Sequence, residues 1–135
     1  FAARNADPQV LESSQSGGVF PALSKAVISV GGVVYGAAFR PDFTVAHMRS
    51  ADLKGCAAFR GSKYVQSELY SAFEDVKYEL ERGRKVMFAG TPCQVAGLLR
   101  SLGKDHEGLL TVDFACHGVP GPDGRSRWQV RHHPR

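Results

Sequence analysis

The residues best suited to chemistry lie in three short segments. The first is Gly90-Thr91-Pro92-Cys93-Gln94. Thr91 is of the type that caps a helix N-terminus, Pro92 falls at the first helical position, and Gln94, three residues after Thr91, completes a capping box. The turn follows the apolar run Lys85-Val86-Met87-Phe88-Ala89. It therefore sets the amides around Cys93 at the positive end of a helix and at the carboxyl end of a buried strand, where open α/β sheets bind phosphates and cofactors. The same field is expected to favour a reactive thiolate at Cys93. The plain structural alternative is a small cysteine in a well-capped helix.

The second segment is Cys116-His117-Gly118, just after the apolar run from Leu109 to Phe114. If both runs are parallel strands of one βαβ unit, their carboxyl ends share one edge, and Cys93, Cys116 and His117 can approach one another there. Two thiols and an imidazole suit metal ligation or redox chemistry, but they make at most three ligands, and a four-cysteine cluster cannot be completed from this chain without another ligand. The alternative is a strand-end cysteine beside a solvent-facing histidine. The third segment, Gly61-Ser62-Lys63-Tyr64-Val65-Gln66-Ser67, offers donors for a phosphate or a heterocycle and a tyrosine that can stack on a ring. Its structural alternative is a polar loop with a helix N-cap at Ser67. Ser16-Gly17-Gly18 could cradle an anion, but it matches neither a Walker loop nor a dinucleotide fingerprint. His47 reads as a structural residue of a strand and His106 as a surface loop residue. His132 and His133 sit in a polar tail.

The elements that must hold these segments follow from periodicity. Val19, Leu23, Ala26 and Val30 recur at helical spacing, predicting a helix over about 18–30, with Pro21 in its first turn and Gly31-Gly32 ending it. Val33 to Phe39 is apolar on both alternating faces, the pattern of a buried strand. Pro41-Asp42 marks a turn, and Thr44 to Arg49 is the second arm of an antiparallel hairpin. Residues 51–60 fit a short helix. Leu69, Phe73, Val76 and Leu80 make the apolar stripe of an amphipathic helix capped by Gly83, with Glu74, Asp75, Lys77, Glu79 and Glu81 facing out. Strand, helix and strand between 85 and 114 form a βαβ unit. Residues 1–16 read as a polar loop. The expected class is α/β, with a mainly parallel or mixed sheet and helices on its faces.

Composition bounds the function. The chain has 135 residues, 43% of them hydrophobic and 22% charged, the balance of one globular domain. No apolar run reaches the ~20 residues that span a bilayer. The sequence opens on Phe1 without a signal-like segment, which predicts a piece of a longer or processed product. Of the formal net charge of +4, most comes from 123–135, which hold Arg125, Arg127, Arg131 and Arg135 against Asp123. The body carries no basic stripe with interleaved aromatics, which argues against a nucleic-acid partner. Three widely spaced cysteines, Cys56, Cys93 and Cys116, make no disulfide framework and no Cys-x-x-Cys pair, so free or metal-bound thiols in a reducing cytoplasm are expected.

Five stretches, in this order, resemble the coenzyme F-420 hydrogenase/dehydrogenase beta-subunit family: Ser-Gly-Gly-Val-Phe at 16–20, Gly-Gly-Val-Val-Tyr-Gly-Ala-Ala-Phe at 31–39, Gly-Ser-Lys-Tyr-Val-Gln-Ser at 61–67, Ala-Gly-Thr-Pro-Cys-Gln-Val-Ala-Gly-Leu at 89–98, and Thr-Val-Asp-Phe-Ala-Cys-His-Gly-Val-Pro at 111–120. The resemblance covers roughly residues 10–122. It implies a flavin-dependent oxidoreductase module that holds FAD and relays electrons between an iron–sulfur cluster and a hydride-accepting coenzyme such as deazaflavin F-420. By the resemblance, Ser62, Lys63, Tyr64, Gln66, Gly90, Thr91, Pro92, Gln94, His117 and Gly118 line the flavin site. Cys93 and Cys116 become two ligands of a [4Fe-4S] cluster whose set this chain leaves incomplete, since the family's ferredoxin-like Cys-x-x-Cys-x-x-Cys segment is absent. The implied partners are other oxidoreductase subunits or a ferredoxin-like donor, with no membrane. The expected organisation is a flavin-binding domain over 1–122 and a basic tail over 123–135. Two rival readings stand beside it: a truncated interaction subunit without catalysis, and a thiol-redox protein that uses Cys93 and Cys116.

Overall fold

The hairpin between 33 and 50 anchors the architecture in the computed structural model, which describes residues 2–120. β1 (Val33–Phe39) pairs antiparallel with β2 (Val45–Ser50), so that Ala37 faces His47 and Tyr35 faces Arg49. The turn between them is closed by Asp42, whose carboxylate accepts from the Thr44 N–H at 3.0 Å and the Thr44 hydroxyl at 2.7 Å. Those two hydrogen bonds hold the Asp42 carboxyl below its ordinary range. Phe43 takes a left-handed φ of 65° in this turn, a costly conformation for a bulky residue.

β3 (Val86–Gly90) lies parallel to β1, and β4 (Leu109–Asp113) lies parallel to β3, giving the strand order β2-β1-β3-β4. The α/β class, the mixed sheet and the βαβ unit are as the patterning predicts. A short helix α1 (Pro8–Glu12), capped by the Asp7 carboxylate, interrupts the expected N-terminal loop. α2 (Val19–Ser29) starts behind Gly18 and stops at Gly31, both with left-handed φ. α3 is Leu53–Ala57, α4 is Ala72–Glu81 and α5 is Pro92–Leu102. The basic tail expected over 123–135, with His132 and His133, lies outside the described residues.

The sheet carries a core on each face. On the α4/α5 face Val33, Tyr35, Val86 and Phe88 pack against Val76, Leu80, Val95, Leu98 and Leu102. On the other face Val34 and Met87 meet Val27 of α2 and Cys56 of α3. Removing such apolar side chains from water is the main stabilising contribution. Gly32, at the entry to β1, shows how closely the layers approach. A Cβ there would lie 2.6 Å from Val27 Cγ1 and 2.7 Å from the Lys85 carbonyl oxygen.

Two expectations need correction. The amphipathic helix does not begin near Ser67 and does not include Leu69. β2 has a free edge, and residue 68 pairs with it: the Glu68 N–H donates to the Val45 carbonyl and the His47 N–H donates to the Glu68 carbonyl. Satisfying those edge groups holds 67–68 extended, and α4 starts only after Tyr70, whose φ is 42°. Second, Glu79 does not face out. It is buried between Arg49 of β2 at 2.8 Å and Arg84 at 3.0 Å. The apolar run from Leu109 becomes β4, the half-exposed edge of the sheet.

The Glu79 arrangement gives a direct stability test. Removing one member of a buried pair costs about 3–5 kcal/mol when the remaining charge stays buried. Here both arginine side chains are about 40% exposed and can rehydrate. Glu79→Ala is therefore expected to cost about 2 kcal/mol, read as a lower urea midpoint at unchanged slope. An unchanged midpoint would show that the triad contributes nothing.

Candidate functional site

The site assembles where β3 runs into α5. Thr91 is extended (φ −72°, ψ 158°), and Pro92 occupies the first helical turn, which lacks intrahelical partners for its N–H groups. Thr91 and Gln94 close the capping box predicted for them: the Thr91 N–H donates to Gln94 Oε1 at 3.0 Å. The turn is tight. A Cβ on Gly90 would sit 3.0 Å from Gln94 Oε1 and 3.1 Å from Phe88 Cε1. Cys93 is exposed at the open end of the helix, with its Sγ 3.0 Å from Thr91 Oγ1.

Hydrogen bonds bring the other predicted segments to this turn. Gln94 Nε2 donates to Ser67 Oγ at 2.9 Å, which joins the 61–67 loop to α5. The Gln66 N–H donates to the Pro120 carbonyl at 3.1 Å, which joins that loop to the segment after β4. The Ser62 N–H and hydroxyl both reach Gln15 Oε1, at 3.0 and 3.4 Å, just before Ser16-Gly17-Gly18. Segments separated by up to a hundred residues thus meet at one edge of the sheet.

Within that cluster the side chains differ in what they offer. Tyr64 is 81% exposed, and its ring is open to a partner. Lys63 is turned away: its ammonium donates to the Ala58 and Arg60 carbonyls at 2.9 and 2.7 Å, closing the end of α3, and burial pushes its pKa down. Gln66 and His117 are exposed. Gly118 has a φ of 101°, and its N–H donates to Cys116 Sγ at 3.4 Å. Cys56 is buried in the core on the α2/α3 face, where burial pushes its thiol up. It has no part in the edge cluster.

The donors of these segments are of kinds that suit an anion and a planar ring. The amides of the α5 N-terminus with the Thr91 and Ser62 hydroxyls suit phosphate oxygens, and Tyr64 suits a planar ring. Cys93 and Cys116 do not complete a cluster. Among the described residues no three His, Cys, Asp or Glu side chains come together as metal ligands.

Two features were not foreseen. The ring of His47, read only as structural, is buried behind the turn. It stacks on Phe88 at 4.9 Å and makes hydrogen bonds to the Ala89 carbonyl and to Ser67. Burial holds its pKa below the ordinary histidine value. A cavity of about 220 Å³ also opens beside the loop, lined by Phe43, Val45, Val65, Gln66 and two acidic residues, Asp42 and Glu68. Neither could be found by local pattern, because each depends on which strands become neighbours.

No family model and no curated protein matches this chain. Solved structures do match it. One is a chain of the F-420-reducing [NiFe] hydrogenase complex from Methanosarcina barkeri, in a xenon-derivatized structure, with a TM-score of 0.71 and 19% sequence identity. The match covers 96% of this chain and 47% of that chain, so the present chain spans about half its length. At this identity the likeness establishes a shared fold: a mixed α/β sheet of the kind found in that hydrogenase chain. Among the described residues no helix is long and apolar enough to cross a membrane.

Proposed function

We propose that this chain is a flavin-binding oxidoreductase module of the coenzyme F-420 hydrogenase/dehydrogenase beta-subunit type. The observation that carries the reading is the convergence at the carboxyl edge of the sheet. The 61–67 loop is hydrogen-bonded both to the 90–94 turn at the open N-terminus of α5, through Ser67 and Gln94, and to the 115–120 segment, through Gln66 and Pro120. The shared fold with the hydrogenase chain supports it.

In this reading the α5 N-terminus and the Thr91 hydroxyl hold the FAD pyrophosphate, and Tyr64 covers the ring. Gly90, Pro92 and Gln94 shape the turn, while Ser62, Gln66, His117 and Gly118 line the approach. Lys63 supports the loop by closing α3. Bound FAD would supply hydride transfer to an organic acceptor, of which deazaflavin F-420 is one, and one-electron exchange with a cluster. Cys93 and Cys116 would give that cluster two thiolates, with the remaining ligands from beyond these 135 residues. Other oxidoreductase subunits or a ferredoxin-like protein are the proposed donors.

Tyr64 provides the test. Because its side chain is exposed, Tyr64→Ala is expected to leave the urea midpoint unchanged while weakening FAD binding about tenfold, the worth of one aromatic stacking partner. Unchanged affinity would move the ring away from this loop.

A further inference from the structure

We infer that His47 is the positioning residue of the site: as a neutral imidazole with its proton on Nε2, it fixes the end of β3 and, through Ser67 and Gln94, the first turn of α5. The inference rests on the flavin reading for its ligand; the positioning is a property of the turn itself.

The relay can be followed from either end. The Thr91 N–H can only donate, so Gln94 presents its oxygen to Thr91 at 3.0 Å and its NH2 to Ser67 Oγ at 2.9 Å. Ser67 Oγ accepts from Gln94 and keeps its single proton for His47 Nδ1, 2.9 Å away, wherever Nδ1 carries no hydrogen. At the other end the Ala89 carbonyl can only accept, so His47 Nε2, 3.0 Å away, must carry the hydrogen. The Ala89 carbonyl fixes the tautomer of the neutral ring, and the Ser67 hydroxyl matches it. The two ends also tie together two points of one turn, Ala89 at the end of β3 and Thr91 at the start of α5.

A second proton on the ring would break this order. Nδ1 would become a donor to Ser67 Oγ, which already accepts from Gln94. The Ser67 hydroxyl proton would then need a new acceptor at a buried position, where none is recorded among the described residues. Relief comes by turning the Gln94 amide so that its Oε1 accepts the Ser67 hydroxyl proton, which takes that oxygen from the Thr91 N–H. No charge near the ring opposes this. β1, β3 and α5 present Ala37, Phe88, Ala89 and Gln94. Arg49, on the same face of β2, is paired with Glu79 of α4, and the Glu68 carboxylate belongs to the cavity with Asp42. Burial is the main cause that lowers the His47 pKa, and the Ala89 carbonyl partly offsets it. A histidine depressed in this way contributes fully above its unfolded value near 6.5, and its contribution is lost as pH falls below that value. Ligand affinity should follow the same direction.

The test is a pH titration of the nitrogen-15-labelled full chain from about 8 to 5, the range histidine spans. It follows the His47 ring nitrogens, the Thr91 amide and FAD affinity together. The expected result is an Nε2–H tautomer at neutral pH, with the Thr91 amide shifting at the His47 midpoint and FAD binding about tenfold weaker below it. In Ser67→Ala, His47 should still titrate while the Thr91 amide no longer follows. An Nδ1–H tautomer, or a Thr91 amide indifferent to His47, overturns the inference. If the chain unfolds before His47 titrates, two neutral-pH readings decide it: the tautomer, and the displacement of the Thr91 amide by Ser67→Ala. If FAD binds at no pH while Thr91 tracks His47 in the parent and not in Ser67→Ala, the flavin reading falls and the positioning role stands.

Discussion

Phe88→Ala is expected to lower the unfolding free energy by about 4 kcal/mol, within the ~3–5 kcal/mol range for deleting a buried phenylalanine. Phe88 is fully buried. It stacks on His47 with centroids 4.9 Å apart and meets Phe73 edge-on at 5.9 Å. Its neighbours are fixed by the parallel pairing of β3 with β1 and β4, so the void cannot close without moving the sheet. Against a total stability of about 5–15 kcal/mol, this is a large fraction. With a urea slope of about 2 kcal/mol per molar, the midpoint should fall by about 2 M. Phe88→Leu keeps most of the volume and should cost about 1.5 kcal/mol or less. A loss below about 1.5 kcal/mol in Phe88→Ala itself would show that this part of the core collapses freely, against the packing described above.

Thr91→Pro is expected to weaken FAD binding about a hundredfold, equivalent to about 2.7 kcal/mol, while the fold survives. Thr91 already has a φ of −72° and an extended ψ of 158°, which proline adopts without strain. What disappears is the Thr91 N–H that orients Gln94 and the hydroxyl beside Cys93. Losing an N-cap costs about 1 kcal/mol of stability, so a circular dichroism spectrum at moderate temperature should be unchanged. The binding loss is larger because the hydroxyl that would meet the phosphate is gone and the released Gln94 no longer holds the α5 amides in place for it. Undiminished affinity in a folded Thr91→Pro protein would remove the flavin from this turn.

How far the sequence foretells this arrangement depends on the range of the interaction. The Thr91–Gln94 capping box needs only four consecutive residues, and it forms where Thr91, Pro92 and Gln94 predict it. The buried strand at Val33–Phe39 and the helix closed by Gly31 are legible for the same reason: local periodicity and a glycine at a left-handed position. Leu69 sits on the apolar stripe of α4, yet the free edge of β2 captures residue 68 and holds Leu69 outside the helix. Glu79 reads as a solvent-facing charge until Arg49 is brought opposite it by the β1–β2 hairpin and the packing of α4. His47 shows the limit most clearly. Its partners Ser67, Phe88 and Ala89 lie 20 to 42 residues away, and they meet only once β2, β1 and β3 lie side by side. A histidine, a serine and a glutamine at those distances leave no local signature.

The most direct test of the central claim is a titration of the purified chain with FAD, followed by the visible spectrum and by flavin fluorescence. The account predicts saturable binding of one flavin per chain, with altered fluorescence and a shifted absorption band, much reduced in Thr91→Pro. A chain that circular dichroism shows to be folded, and that leaves both signals unchanged up to about 1 mM FAD, would contradict a flavin site at the carboxyl edge of this sheet.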